Sequence, residues 1–340
     1  MTPATFMAAE TAECPAAAAR FLDGPGGAEA ARVARDLAGR SFPVVAVCGR
    51  GSSGHAGVHL RYLIETALGI PVSATAPSIV TAYRRPPVLR GALFVVISQS
   101  GRSPDLVAAT RAAREAGALT LALVNDPGSP VAEAAERVVP IDAGPERAVA
   151  ATKTVVNSLV AGALLVARWT GDAPLEAAVR GLPDRLARAA ELDWSAWGLR
   201  LAGASTAYVT ARGHGLGPAR EIALKLAETA RLPALAFSAA ELRHGPRAAV
   251  GPRTPVLALR QADGVADSVD ALVADLRAAA LPVEASGGPH GTLPWIGDGH
   301  PACDPIAMLL PAYRQIEREA RRRGLDPDAP EGLAKITETL

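Results

Sequence analysis

The sequence predicts an α/β protein of two similar halves, each a parallel sheet flanked by helices on both faces in the doubly wound, flavodoxin-like manner. Three observations predict it. Short apolar runs alternate with helical stretches along nearly the whole chain, the pattern of strand–helix–strand units rather than of hairpins. Glycine- and serine-rich turns close several of these runs just before a helix begins. The pattern also recurs: Arg50-Gly51 and the closing Glu65-Thr66 of one half match Arg212-Gly213 and Glu228-Thr229 of the other at an offset of about 162 residues, as an internal repeat requires.

Residues 1–27 read as a polar lead bearing Ala, Pro and Gly, with a short helix before Pro15. Helical spacing runs over 28–38, and Gly39 stops it. Residues 43–48 are a continuous apolar run suited to a buried parallel strand. The turn from Gly49 to Gly57 leads into a helix over 59–68, and 71–74 and 93–97 are the next strands. The turn from Ser98 to Ser103 follows, with Pro104 at the first position of a helix reaching Gly117. A strand over 119–124, a turn at Asn125-Asp-Pro-Gly, a short helix, an edge strand over 137–140 and a long helix over 148–170 complete the half.

The second half opens near Pro183. Helices to about Leu201 precede a strand over 207–210, a turn from Ala211 to Gly217 and the helix holding Glu221, Lys225 and Glu228. Strands at 235–237, 255–259 and 281–284, with a helix over 264–279, repeat the earlier order. A helix over 304–323 precedes an ending too rich in proline and glycine to form a regular element. The expected organisation is a lead over 1–27, domains over 28–172 and 183–325, and an irregular C-terminal tail over 326–340 that covers the active site.

Composition excludes several function classes. With 35 basic and 34 acidic residues the chain lacks the charge excess of a nucleic-acid binder. Cys14, Cys48 and Cys303 are far apart and form no CxxC pair, which fits a reducing compartment and no structural zinc. No basic residue precedes Arg20, so no signal peptide is read, and the longest apolar run, 155–167, is too short for a bilayer. A cytoplasmic protein without membrane contact is expected. His55 and His59 are four apart but lack the glutamate of HExxH and a third ligand, so no metal is expected.

Two stretches carry chemistry. Glu221, Lys225 and Glu228 share one face of an otherwise apolar helix. Buried charges of this kind are costly unless they pair or react; the plain alternative is an i,i+4 pair of Glu221 with Lys225. Ser98, Gln99, Ser100 and Ser103 put three hydroxyls and an amide between a buried strand and a helix start. Helix capping needs one such residue, whereas a phosphorylated polyol uses several. Gly49-Arg-Gly-Ser-Ser-Gly54 matches the dinucleotide fingerprint GxGxxG, but no acid for a ribose lies between Thr66 and Pro104, and no GK[ST] follows. His244, in Glu241-Leu-Arg-His-Gly-Pro246, and Lys335, in the irregular tail, say little by themselves.

Together these residues resemble the sugar isomerase (SIS) family in its tandem form, which includes the isomerase half of glucosamine-6-phosphate synthase. The likeness runs from Glu10-Thr-Ala-Glu-Cys-Pro15 to Leu333-Ala-Lys335 and rests on Cys48-Gly49, Ser98-Gln-Ser-Gly101, Ala150-Ala-Thr-Lys153, Glu221…Lys225…Glu228 and Glu241…His244-Gly-Pro246. It implies two tandem SIS domains and a hexose (amino) 6-phosphate ligand. It further implies that Gly49, Arg50, Gly51, Ser52, Ser53, Ser98, Gln99, Ser100, Ser103 and Ala151 line the substrate site, with Ala151 standing where the synthase has a serine. Glu228 would move a proton between C2 and C1, supported by Glu221 and Lys225. His244, contributed across a homodimer interface, would assist ring opening, and Lys335 would meet the sugar carbonyl.

The departures set an expectation of activity. The synthase carries a glutaminase domain opened by a catalytic cysteine; here about 42 residues precede the first strand and Met1-Thr2 holds no such nucleophile, so ammonia from glutamine is not expected. Arg102 replaces an acid of the synthase turn, and Ser-Gln-Ser-Gly-Arg-Ser-Pro-Asp105 resembles the stand-alone amino-sugar-phosphate deaminases. The expectation is a cofactor-free isomerising deaminase, glucosamine 6-phosphate and water giving fructose 6-phosphate and ammonia. Galactosamine-6-phosphate deaminase and fructosamine-6-phosphate deglycase are close rivals. A non-catalytic sugar-phosphate sensor gives no reason for Glu228, His244 and Lys335 to occur together.

Overall fold

The computed structural model describes residues 4–297 and 299–335. Met1 and Thr2, weighed above as a nucleophile position, and residues 336–340 of the expected tail lie outside the described residues. The chain divides into two compact units. One comprises Ala16–Glu146, Lys153–Arg180 and the tail from Ala334; the other comprises the N-terminal stretch to Pro15, Arg147–Thr152 and Gly181–Leu333.

In chain order the first half contains α1 (Phe6–Asp23), α2 (Pro25–Ala38), β1 (Val45–Cys48), α3 (Gly51–Leu68), β2 (Val72–Ala74) and α4 (Ser78–Thr81). It continues with β3 (Leu93–Ser98), α5 (Pro104–Glu115), β4 (Leu119–Val124), α6 (Pro130–Ala134), β5 (Arg137–Pro140), α7 (Lys153–Thr170) and α8 (Ala173–Arg180). The second half contains α9 (Leu182–Ala190), α10 (Ser195–Leu201), β6 (Ala207–Ala211), α11 (Leu216–Ala230), β7 (Ala234–Ser238) and α12 (Ala239–His244). It ends with β8 (Val256–Leu259), α13 (Ala266–Ala278), β9 (Val283–Ser286) and α14 (Asp304–Arg322).

The first sheet has the order β2-β1-β3-β4-β5 and the second β7-β6-β8-β9, with parallel pairing throughout. These are the same doubly wound order. Where the first sheet adds β5, the second has only one parallel bridge, Ser286 to Leu293. Strands β1, β3 and β8 are buried along their whole length, as a parallel sheet covered on both faces demands.

The repeat extends to backbone detail. Arg50 and Arg212 are both extended after the first strand of their half, and Gly51 and Gly213 both take positive φ, 48° and 64°. Glycine adopts that conformation without steric penalty. Helices α3 and α11 both end on a left-handed residue, Gly69 and Arg231, 162 positions apart. In their last turns the Thr66 and Thr229 hydroxyls donate to the carbonyls of Tyr62 and Lys225, at 2.6 and 2.7 Å.

Three expectations are corrected. The lead over 1–27 is helical: α1 runs through Pro15, and α2 starts at Pro25 rather than at Ala28. A proline inside a helix removes one N–H donor, but Met7, Cys14, Ala17, Ala18 and Phe21 form a fully buried stripe on α1, and that apolar burial outweighs it. The long helix starts at Lys153, not Ala148. The Val149 N–H is bonded to the Asp328 carbonyl at 2.9 Å instead of to a helix. The Glu146 carboxylate then accepts from the Thr154 N–H and hydroxyl, at 3.1 and 2.7 Å, at the helix start. Helix α4, among four residues with no apolar periodicity, had not been expected.

Once begun, α7 is apolar nearly all round and buried from Lys153 to Ala167, the sign of a core helix. Its polar interruption is half satisfied: Asn157 Nδ2 donates to the carbonyls of Ala17 and Ile141 at 2.9 and 2.8 Å, while its buried Oδ1 has no hydrogen-bond partner among the described residues. Among the described residues no helix is long and apolar enough to cross a membrane.

The described part of the tail contains no helix or strand, as expected, yet it is anchored. The Asp328 carboxylate accepts from the Phe6 and Met7 N–H groups, at 2.7 and 2.8 Å, and so caps the start of α1 from across the sequence. Asp328→Ala should therefore destabilise the protein by about 0.5–2 kcal/mol, the usual worth of a helix cap. Urea melts of the two proteins measure this, and an unchanged midpoint would show that the cap contributes nothing.

Candidate functional site

In a sheet of order β2-β1-β3-β4-β5 the crevice opens at the carboxyl ends of β1 and β3, where the direction of winding reverses. Both serine turns of the first half are placed there. Gly49 follows β1, and a Cβ on it would lie 2.9 Å from the Ser53 carbonyl carbon, so only glycine fits this tightly against the first turn of α3. Ser52 and Ser53 lie in that turn, half-buried.

Ser98 is the last residue of β3, and its Oγ accepts the Gly101 N–H at 3.0 Å. Ser100 Oγ accepts the Arg102 N–H at 3.3 Å. Gly101 has φ of 62°, and a Cβ there would meet Ser129 Oγ at 2.0 Å, so the turn closes only on glycine. Ser103 occupies the N-cap position of α5, but its side chain makes no capping bond. Gln99, Ser100 and Ser103 are half-buried in the turn. Two aligned helix N-termini and these hydroxyls form a concentrated set of donors for an anion.

Arginines flank the turn. Arg102 bonds Asp126 at 2.8 Å with both partners exposed, an arrangement worth little. Arg50 reaches from the β1 turn to Asp105, the second residue of α5, with Nε donating to Oδ2 at 2.6 Å and Nη2 to the same oxygen. Asp105 is 1% exposed. Sequence reasoning quoted Asp105 only as part of a motif; its pairing across 55 positions has no local signature.

In the second half Gln261, which follows β8, packs against the turn after β6. Gln261 Nε2 donates to the Arg212 carbonyl at 2.5 Å, and a Cβ on Gly215 would sit 3.0 Å from Gln261 Oε1. The two halves share a fold, but only the first lines its crevice with serines.

On α11 the expected charged face is present and deeper than a plain i,i+4 pair. Lys225 Nζ lies 3.1 Å from Glu221 Oε1 and 2.6 Å from Glu228 Oε2. The side chains of Lys225 and Glu221 are each 1% exposed, whereas Glu228 is 25% exposed. Tyr313 of α14 also reaches Glu221, its hydroxyl donating to Oε1 at 3.4 Å. Burial alone would favour the neutral amine, but the carboxylates of Glu221 and Glu228 outweigh it and hold the Lys225 pKa above the ordinary lysine value. The helix thus fixes a partly exposed carboxylate, Glu228, by a buried ammonium that Glu221 anchors from the other side.

His244 closes a short helix, α12. Ser238 and Glu241 form a reciprocal capping box at the start of α12, which engages Glu241 in structure. His244 is exposed in the last turn and lines an open pocket of about 640 Å³ with Arg220, Phe237 and Glu241. Ala151 lies half-buried in the irregular stretch before α7.

Lys335 Nζ bonds Glu146 Oε2 at 3.0 Å, and the Glu146 side chain is fully buried. Glu146 had not been singled out, because a lone acid in a loop carries no pattern. His59 is buried within α3 and His55 half-buried. Among the described residues no three His, Cys, Asp or Glu side chains converge as a metal site would require. Burial pushes the thiols of Cys48 and Cys303 up to about 12, far from a reactive thiolate.

Comparison with known proteins agrees with this architecture. Residues 44–168 and 200–283 match the SIS domain family. The glutamine–fructose-6-phosphate aminotransferase (isomerizing) of Symbiobacterium thermophilum is 35% identical over 316 residues, covering 87% of this chain and 52% of that protein. The chain spans about half the length of the curated relatives it matches. A Silicibacter pomeroyi DSS-3 protein of known structure, provisionally assigned as a phosphosugar isomerase, superposes with a TM-score of 0.91 at 39% identity and covers 96% of this chain and 100% of its own. The glucosamine-6-phosphate deaminase of Thermotoga maritima shares the fold at a TM-score of 0.80 and 20% identity, covering 98% of this chain and 100% of its own.

The α11 charges generate a stability prediction. Lys225→Met would leave Glu221 buried without its cation and should cost about 3–5 kcal/mol. A lysine with a raised pKa contributes its full stabilisation below its ordinary value of 10.5 and loses it as pH climbs past the raised one. Denaturant melts of wild type and variant should therefore differ by a constant amount from neutrality to about pH 10 and converge only above it; a gap that closed near pH 8 would contradict the assignment.

Proposed function

The chain belongs to the SIS domain family, and from that premise we propose that it is a sugar-phosphate isomerase acting on an amino-sugar 6-phosphate with release of ammonia. The observation that carries this reading is the α11 arrangement, in which a partly exposed Glu228 is held at 2.6 Å by a buried Lys225. A general base needs a fixed position and access to its proton, and a purely structural ion pair has no need of the exposed third member. The relatives support the substrate class: an isomerizing aminotransferase of fructose 6-phosphate in sequence and a phosphosugar isomerase assignment at 39% identity in structure.

In this reading the turns at Gly49–Ser53 and Ser98–Ser103 hold the phosphate and sugar hydroxyls. Ring opening of glucosamine 6-phosphate, assisted by His244 of a second copy in a homodimer, exposes the C1 aldehyde and acidifies the C2 proton. Glu228 takes that proton from C2 and returns it to C1, leaving a ketimine at C2. Water adds to the ketimine carbon, and ammonia leaves to give fructose 6-phosphate. Lys335 meets the open-chain carbonyl after exchanging its bond to Glu146 for the sugar. The deaminase form rests on Ser-Gln-Ser-Gly-Arg-Ser-Pro-Asp105; galactosamine and fructosamine 6-phosphates are the competing substrates.

Ammonia release from a panel of glucosamine, galactosamine and fructosamine 6-phosphates, with unphosphorylated glucosamine as control, tests the assignment. Glucosamine 6-phosphate should turn over fastest and the unphosphorylated sugar hardly at all. Glu228→Gln should keep binding and fold but lower turnover by roughly 10²–10⁴; near-native release would remove Glu228 from the chemistry.

The tail can be tested apart from the cap that Asp328 provides. Truncation from residue 334 onward removes Lys335 but leaves Asp328 on α1. The truncated protein should melt cooperatively and release no measurable ammonia. Full turnover would show that Lys335 takes no part.

A further inference from the structure

Asp105 is a carboxylate placed where a carboxylate is expensive. It is 1% exposed, and a buried ion destabilises unless its lone pairs are engaged and its charge is met. Both conditions hold. Oδ1 accepts the Leu106 N–H at 2.8 Å, while Oδ2 accepts Nε and Nη2 of Arg50. The acid therefore grips one edge of the guanidinium. Arg50 itself is 50% exposed, and it belongs to the turn after β1 while Asp105 belongs to the first turn of α5, directly after Ser103.

The internal repeat shows what this contact need not be. In the second half Arg212 stands in the same backbone conformation as Arg50 and also reaches toward the start of the helix after the third strand, donating to Ser268 Oγ at 2.9 Å. A neutral hydroxyl suffices there to tie the two loops, in the half where Gln261 packs against the turn. The acid in the first turn there, Asp267, is exposed, whereas Asp105 is buried against its arginine. Loop tethering does not explain the difference, because a serine performs it without burying a charge.

We propose that Asp105 is a positioning residue that holds the Arg50 guanidinium edge-on beside the Ser98–Ser103 turn, so that Arg50 supplies the charged contact to the ligand's phosphate. The inference rests on the reading of that turn as the phosphate cradle. A guanidinium whose Nε edge is fixed presents its remaining N–H donors in a set plane, suited to two oxygens of one phosphate. The serines and backbone N–H groups of the turn are neutral donors, and Arg102, paired with Asp126, lacks a buried partner to fix its plane. Arg50 then distinguishes a phosphate dianion from an uncharged sugar end, and Asp105 acts through it.

Calorimetric titration of the full chain with fructose 6-phosphate and with inorganic phosphate tests this, in wild type, Arg50→Gln, Asp105→Asn and the double variant. Arg50→Gln strips buried Asp105 of its cation and should melt earlier, whereas the double variant removes both charges and reports on binding even if a single variant does not fold. Each single variant should weaken both ligands about tenfold, the low end for a charge-assisted hydrogen bond. The double variant should be no weaker than Arg50→Gln, because Asp105 contributes only through Arg50. Native affinity in Arg50→Gln overturns the proposal, as does an Asp105→Asn that melts earlier but binds normally. Fully multiplied losses in the double variant overturn it too. Wild type that binds neither ligand would instead sink the reading of the turn as a phosphate site, and this inference with it.

Discussion

Every strand of both sheets runs parallel, and this single constraint governs where function can reside. Parallel strands need helical crossovers, so both faces are covered and the strands must be apolar throughout. What remains open is the edge where the strands end and the helices begin. There the chain must turn tightly, and there helix N-termini carry unpaired N–H groups. The order with the second strand outside the first opens a crevice between β1 and β3. The serine turns are therefore consequences of topology as much as of composition.

Burial of charge follows a common rule in both units. Lys225 is met by Glu221 and Glu228, Asp105 by Arg50, and Glu146 by Thr154 and Lys335. In each set one member is buried within the unit and another is at least a quarter exposed: Glu228, Arg50 and Lys335. The buried member holds the position, and the exposed member can meet a ligand. A buried ion pair adds little net stability, because desolvation offsets most of the attraction. Its effect here is to define where the exposed group stands.

The two halves share a strand order and differ in the side chains at the ends of their central strands. Backbone conformation is alike at Arg50-Gly51 and Arg212-Gly213, while the side chains around them differ. The retained helix contributes differently in each half: α3 presents serines at its start, and α11 carries the lysine and two glutamates on one face.

The fold class, the repeat, all nine strands, seven of them to within a residue at each end, and the charged face of α11 were legible in the sequence, because each is written in local periodicity or spacing. Strand β9 was read two residues early, because the apolar run that marks it begins at Leu281 while pairing begins at Val283. Helix α1 was read only as far as Pro15 because proline is read as a breaker, whereas a stripe of buried side chains outweighs one absent N–H. The roles of Asp105, Glu146 and Asp328 could not be read, since their partners lie 55, 189 and over 320 positions away. By itself the sequence determined which segments become strands and helices and which face of α11 is charged, since those depend on neighbours within a few residues. Only the tertiary structure decided which acid meets which cation and where Lys335 rests, because a buried charge selects its partner by proximity in space and not by distance along the chain.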